Sequence, residues 1–147
     1  MVAADHSVPA RVLVVAHRTA ATPRLIEAVR ARAQAGPCTF TLLVPRGYWD
    51  PDTEASSLIL ELALPLLEDA AGASITGVVG ASDPFLAVRD ALANGDFQEV
   101  IISTLPERVS HWLRRDLPSR VERLGVPVTV VIAQERRQTL TPPVDRR

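Results

Sequence analysis

At 147 residues, 47% hydrophobic and 22% charged, the chain has the make-up of one globular domain, long enough to bury about 70% of its unfolded surface. Its formal net charge of −1 gives no overall pull toward nucleic acid or an anionic membrane, so neither is an expected partner. No run of about 18 apolar residues offers a membrane-spanning helix, and Met1–Pro9 lacks the basic-then-apolar pattern of a secretion signal, so the expected location is cytoplasmic.

Residues 1–10 read as a flexible N-terminus. The first strand spans Arg11–Ala16, where Val12-Leu13-Val14-Val15 is continuously apolar, as in strands covered on both faces by helices. Thr22-Pro23 then caps a helix whose stripe is Leu25, Ile26, Val29 and Ala33 and which Gly36-Pro37 ends. The second strand, Thr39–Val44, runs into an aromatic loop, Pro45–Pro51, containing Tyr48 and Trp49. A long helix from Asp52 to Ala71 follows, with Leu58, Ile59, Leu62, Leu66 and Ala70 expected along its buried face. Leu60, Leu64 and Leu67 fall off that face and Pro65 interrupts it, which predicts a kink or a partly exposed apolar strip.

The third strand, Ile75–Val79, is short and carries Gly77, as an edge strand does. Asp83-Pro84 opens the next helix, with Phe85, Val88 and Leu92 facing inward and Asn94-Gly95 closing it. The fourth strand is Phe97–Ser103. Two short helices follow, the second capped by Asp116, burying Val121 and Leu124 and ending at Gly125. The fifth strand, Val126–Ile132, starts with Pro127, another edge signal, and residues 134–147 read as a disordered tail.

This alternation predicts an α/β fold: an open five-stranded parallel sheet, order 3-2-1-4-5, with helices on both faces, Rossmann-like, spanning residues 11–133. Strands one and four then meet at the centre, where the winding reverses. Ligands of such sheets bind beyond the carboxyl ends of the strands flanking that point. Two segments are thereby nominated: Ala16 to Thr19, with His17-Arg18-Thr19, after strand one, and Ser103-Thr104-Leu105-Pro106 after strand four.

Residue types narrow the chemistry. Cys38 is the single cysteine, which excludes an internal disulfide and a cysteine-rich zinc site. All 16 basic side chains are arginine, a bias expected of a GC-rich coding sequence. There is accordingly no lysine for a P-loop, a Schiff base or a receiver-type phosphorylation site. His6, His17 and His111 lack metal-ligand spacing, so no metal is expected.

The chain resembles the universal stress proteins over Arg11–Ala133. The resemblance rests on the element order, on Val78-Val79-Gly80 followed by Asp83-Pro84 and a helix, and on Gly125-Val126-Pro127-Val128-Thr129-Val130-Val131 closing the sheet. It implies the adenine nucleotide alpha hydrolase-like sheet and a small, non-catalytic, stress-linked regulatory domain. It also implies a homodimer joined through the last strand, with Val128, Val130 and Ile132 as interface candidates. ATP-binding members carry an Asp after strand one and a Gly-x2-Gly-x9-Gly-Ser/Thr loop after strand four. Here those positions fall on His17, near Ser103, near Pro106 and near Arg115-Asp116, and no glycine occurs from Asp96 to Leu124. Glycine lets backbone N–H groups curl around phosphates, and Pro106 has no N–H to offer. The expectation is therefore no cofactor, and no ATP bound in the family's usual way.

Arg108, Arg114, Arg115, Arg120 and Arg123 concentrate positive charge beyond strand four. With Arg18 and the hydroxyls of Ser103 and Thr104 they form an anion pocket of guanidinium forks, or else a solvated helix face paired with Glu107, Asp116 and Glu122. The candidate ligand-binding set is His17, Arg18, Thr19, Ser103, Thr104, Arg108, Ser110, Arg114 and Arg115, for a nucleotide or other phosphorylated anion. A Ser103–His17 nucleophile pair is conceivable from topology, but no Gly-x-Ser-x-Gly elbow or orienting acid accompanies it. Trp112 reads as core or as a stacking platform, and core is the reading preferred for an aromatic at helical spacing.

Overall fold

Continuous apolar runs alternate with amphipathic ones, and each run of the first kind forms a strand of one parallel sheet. The structure, a computed structural model, describes residues 8–47, 54–106 and 110–133; of Glu54, His111 and Arg114 it describes the backbone alone. The strands are β1 (Ala10–Val15), β2 (Cys38–Pro45), β3 (Thr76–Gly80), β4 (Glu99–Thr104) and β5 (Val128–Ile132). The helices are α1 (Pro23–Ala35), α2 (Glu54–Ala71), α3 (Pro84–Asn94), α4 (His111–Arg114) and α5 (Leu117–Glu122). The sheet order is β3-β2-β1-β4-β5, all pairs parallel, as the sequence predicts. Of the expected flexible ends, residues 1–7 and 134–147 lie outside the described residues, while Val8 and Pro9 precede β1 and Ala10 already pairs with Cys38 in it.

Side chains along the central strands divide by parity between two cores. Val12, Val14, Phe40, Leu42, Val44 and Ile101 pack against Leu25 and Val29 of α1 and Ala63, Leu67 and Ala70 of α2. Leu13, Val15, Leu43, Val100 and Ile102 point the other way, onto Ala87 and Val88 of α3 and Leu117 and Val121 of α5. Burial of both faces explains why these strands read as unbroken apolar runs.

Four local expectations are corrected. The buried face of α2 consists of Ser56, Ala63, Leu67 and Ala70, whereas Leu58, Leu62 and Leu66 are exposed. Small residues let the helix approach the sheet, and Leu60 and Leu64 come to within 3.0 Å of where a Cβ on Gly77 would stand. Leu117 is buried in place of Leu124, which is 41% exposed. The strand expected from Val126 begins at Val128, because Pro127 has no N–H and contributes its carbonyl alone, to Val100 N at 3.0 Å. Asp116 does separate α4 from α5, but through a left-handed backbone (φ 58°), and its side chain makes no capping bond. By contrast, Asp83 caps α3 as expected, accepting from Phe85 N and Leu86 N.

Candidate functional site

Beyond the carboxyl ends of the strands the chain encloses a cleft of about 690 Å³, within the range of small-molecule sites. Its floor is the pair of segments that leave β1 and β4. After β1, Ala16 N still bonds Leu43 O, and the chain then turns, Ala20 N donating to His17 O and Thr22 N to Thr19 O. That turn sends Thr19 inward, where its Oγ1 lies 2.6 Å from Ser103 Oγ. One residue on, Thr104 Oγ1 lies 2.6 Å from Ser110 Oγ, which also accepts from Leu113 N at 3.0 Å. Two buried hydroxyl pairs thus fasten the loop after β1 to β4, and β4 to the start of α4.

Arginines from four segments surround this floor: Arg18 after β1, Arg46 after β2, Arg115 between α4 and α5, and Arg120 on α5. Among the described residues Arg46, Arg115 and Arg120 make no salt bridge. The Arg120 guanidinium carbon lies over the Phe85 ring, 4.4 Å from its centroid, a cation–π contact that holds its charge at the wall. The lining contains one described carboxylate, Asp83, whose Oδ1 already serves two backbone N–H groups of α3. Trp112 is half-buried, packed on the α3–α5 core and also lining the cleft.

Of the nine nominated residues, the cleft gathers His17, Arg18, Thr19, Ser103, Thr104, Ser110 and Arg115. Arg108, with Tyr48 and Trp49, lies outside the described residues, as does the side chain of Arg114. Sequence reasoning left out Arg46, Asp83 and Phe85, which come from the ends of β2 and β3. It attended only to the strands flanking the reversal point, and the signal that finds these residues is the carboxyl end of every strand. Ser103 is 1% exposed with its Oγ engaged by Thr19, and His17 Nε2 is likewise out of solvent. The seryl hydroxyl is therefore built into the floor of the cleft. Among the described residues no three His, Cys, Asp or Glu side chains gather to hold a metal ion, and no helix is long and apolar enough to cross a membrane.

No family model and no curated protein sequence matches the chain. Solved structures do. A universal stress protein in complex with cAMP matches with a TM-score of 0.62 at 16% identity, over 87% of this chain and 100% of that one. A universal stress protein from Archaeoglobus fulgidus matches with a TM-score of 0.60 at 13% identity, over 84% and 94% respectively. The architecture built from these residues is the universal stress protein fold.

Proposed function

We propose that this chain is a non-catalytic regulatory domain, of the stress-linked kind, whose cleft binds a nucleotide or other phosphorylated anion through arginine side chains. The observation that carries the reading is the convergence of Arg18, Arg46, Arg115 and Arg120 on one cleft whose described lining holds a single carboxylate, Asp83. Guanidinium forks bind phosphate oxygens in pairs, and they replace the glycine loop for which the segment after β4 has no glycine. Buried hydroxyls form the floor, and Trp112 gives the wall an aromatic surface for a base. The cAMP held by the structural relative supports a ligand of this class.

Thermal melts with ATP, AMP, cAMP and inorganic phosphate at millimolar concentration test this. A true ligand raises the melting midpoint, since a hundredfold excess over Kd stabilises the native state by about 2.7 kcal/mol. Arg18→Ala and Arg115→Ala should each abolish most of that shift. No shift with any of the four anions rejects the reading.

A second element of the reading is a homodimer through β5. Val130 and Ile132, 38% and 41% exposed, stand on an edge strand that no described strand covers, and unpaired edges invite pairing with another copy. Light scattering at high micromolar concentration should give twice 15.9 kDa; a monomer mass rejects the dimer.

A further inference from the structure

Charge is segregated along this chain. Residues 47–88 contain seven of the seventeen carboxylates and none of the sixteen arginines or three histidines. Helix α2 lies within that stretch, with four acids, Glu54, Glu61, Glu68 and Asp69, and no basic residue. Its outer surface carries Leu58, Leu62 and Leu66, which are 53%, 63% and 46% exposed. Single exposed leucines are ordinary, but these recur at i, i+4 and i+8 and so form one stripe about 12 Å long. Glu61 and Asp69 are exposed beside it and make no salt bridge among the described residues. Glu68 is held inward, accepting from Ile75 N at 2.8 Å.

We propose that the outer face of α2 is a docking surface for a basic amphipathic segment of a partner protein, its apolar side on Leu58, Leu62 and Leu66 and its cations beside Glu61 and Asp69. The charge pattern selects this occupant. A second copy seated symmetrically on the same face would oppose α2 with α2 and bring carboxylates together without any cation between them. An anionic lipid surface meets the same repulsion. A helix with apolar residues at matching spacing and Lys or Arg on its flanks satisfies both features. The surface lies on the outer side of α2, so it is independent of the arginine cleft.

The test uses the full chain and two labelled 15-residue helical peptides, read by fluorescence anisotropy. Both carry Leu at i, i+4 and i+8; one has Lys at every flanking position and the other Glu. The Lys peptide should bind at least tenfold more tightly than the Glu peptide. Leu62→Ser should weaken it about tenfold, by removing the central apolar anchor. The double variant Glu61→Lys/Asp69→Lys should remove the preference for Lys over Glu. Both variants alter exposed side chains, so their melting midpoints should match that of the parent. Equal binding of the two peptides, binding of neither, or affinity unchanged in the variants overturns the proposal. A self-associated mass that drops to 15.9 kDa on Leu62→Ser also overturns it, in favour of a second copy on the stripe.

Discussion

Thr19 and Ser103 share a hydrogen bond of 2.6 Å although 84 positions separate them in the chain. Both are essentially sealed from solvent, at 2% and 1% exposure, so neither hydroxyl can turn to water if the other is removed. An unsatisfied buried hydroxyl costs about 1–3 kcal/mol, whereas removing both partners is far milder. Thr19→Val and Ser103→Ala should each lower the unfolding free energy by roughly that amount. The double variant should lose clearly less than the two losses added, a coupling that a urea-denaturation cycle measures directly. Strict additivity would mean that the pair does not fasten the loop after β1 to β4.

Arg120 gives the sharpest test of how the cleft holds an anion. Its guanidinium carbon lies over Phe85, 4.4 Å from the ring centroid, and lysine keeps the charge but not the planar fork. Arg120→Lys should therefore weaken the ligand that raises the melting midpoint by about tenfold, the order of one charge-assisted hydrogen bond. Arg46→Ala should do the same from the β2 side. Calorimetric titration of each variant reads the change, and Arg120→Lys binding as well as the parent would reduce the site to simple charge.

The sheet was legible because β1, β2 and β4 are buried on both faces and write continuous Val, Leu and Ile runs into the sequence. The site's floor followed from topology alone, which placed His17–Thr19 beside Ser103 and Thr104. The orientation of α2 was not legible. Leu58, Ile59, Leu60, Leu62, Leu64, Leu66 and Leu67 surround most of the helix, so apolar periodicity has no single face to report. What decides its rotation is size: Ser56, Ala63 and Ala70 permit close approach to the sheet, against which Leu67 also packs. Arg46 escaped for another reason. Its strand does not flank the reversal point, but it pairs directly with β1, so the sheet order already sets the end of β2 beside the Arg18 segment.

Gly80 ends β3 where α3 crosses the sheet. A Cβ there would stand 2.8 Å from Ala87 Cβ and 2.8 Å from Leu43 Cδ1. Ala87 and Leu43 are 2% and 1% exposed and belong to the α3-side core, so neither can swing aside into solvent. Gly80→Ala should thus destabilise the fold by about 1–3 kcal/mol, as overpacking does in well-filled cores. Gly36→Ala is the control, since nothing lies within 4 Å of its Cβ position and its φ of 167° is ordinary extended backbone. If the two variants have equal urea midpoints, the close approach of α3 at Gly80 is not a constraint.

At the opposite end of the sheet, Arg32 of α1 grips Glu99 of β4 by Nε at 2.9 and 3.1 Å and by Nη2 at 2.6 Å. That hydrogen bonding, outweighing partial burial, holds the Glu99 carboxyl below the usual carboxylate range and raises Arg32 further. The neighbouring Cys38 thiol moves up, chiefly through burial, and should react slowly with iodoacetamide at neutral pH. Because the pair is partly solvated, its contribution is about 1 kcal/mol. The sign follows from Glu99 being more acidic folded than unfolded. Its stabilisation is fully present above the unfolded value of about 4.3 and is lost as pH falls through the lower folded value. Glu99→Gln should therefore be less stable than the parent at pH 7, with the gap closing progressively below about pH 4.3. Urea midpoints measured from pH 7 to pH 3 check this, and a gap that stays constant over that range would show that the lost packing of the side chain, not its charge, is responsible.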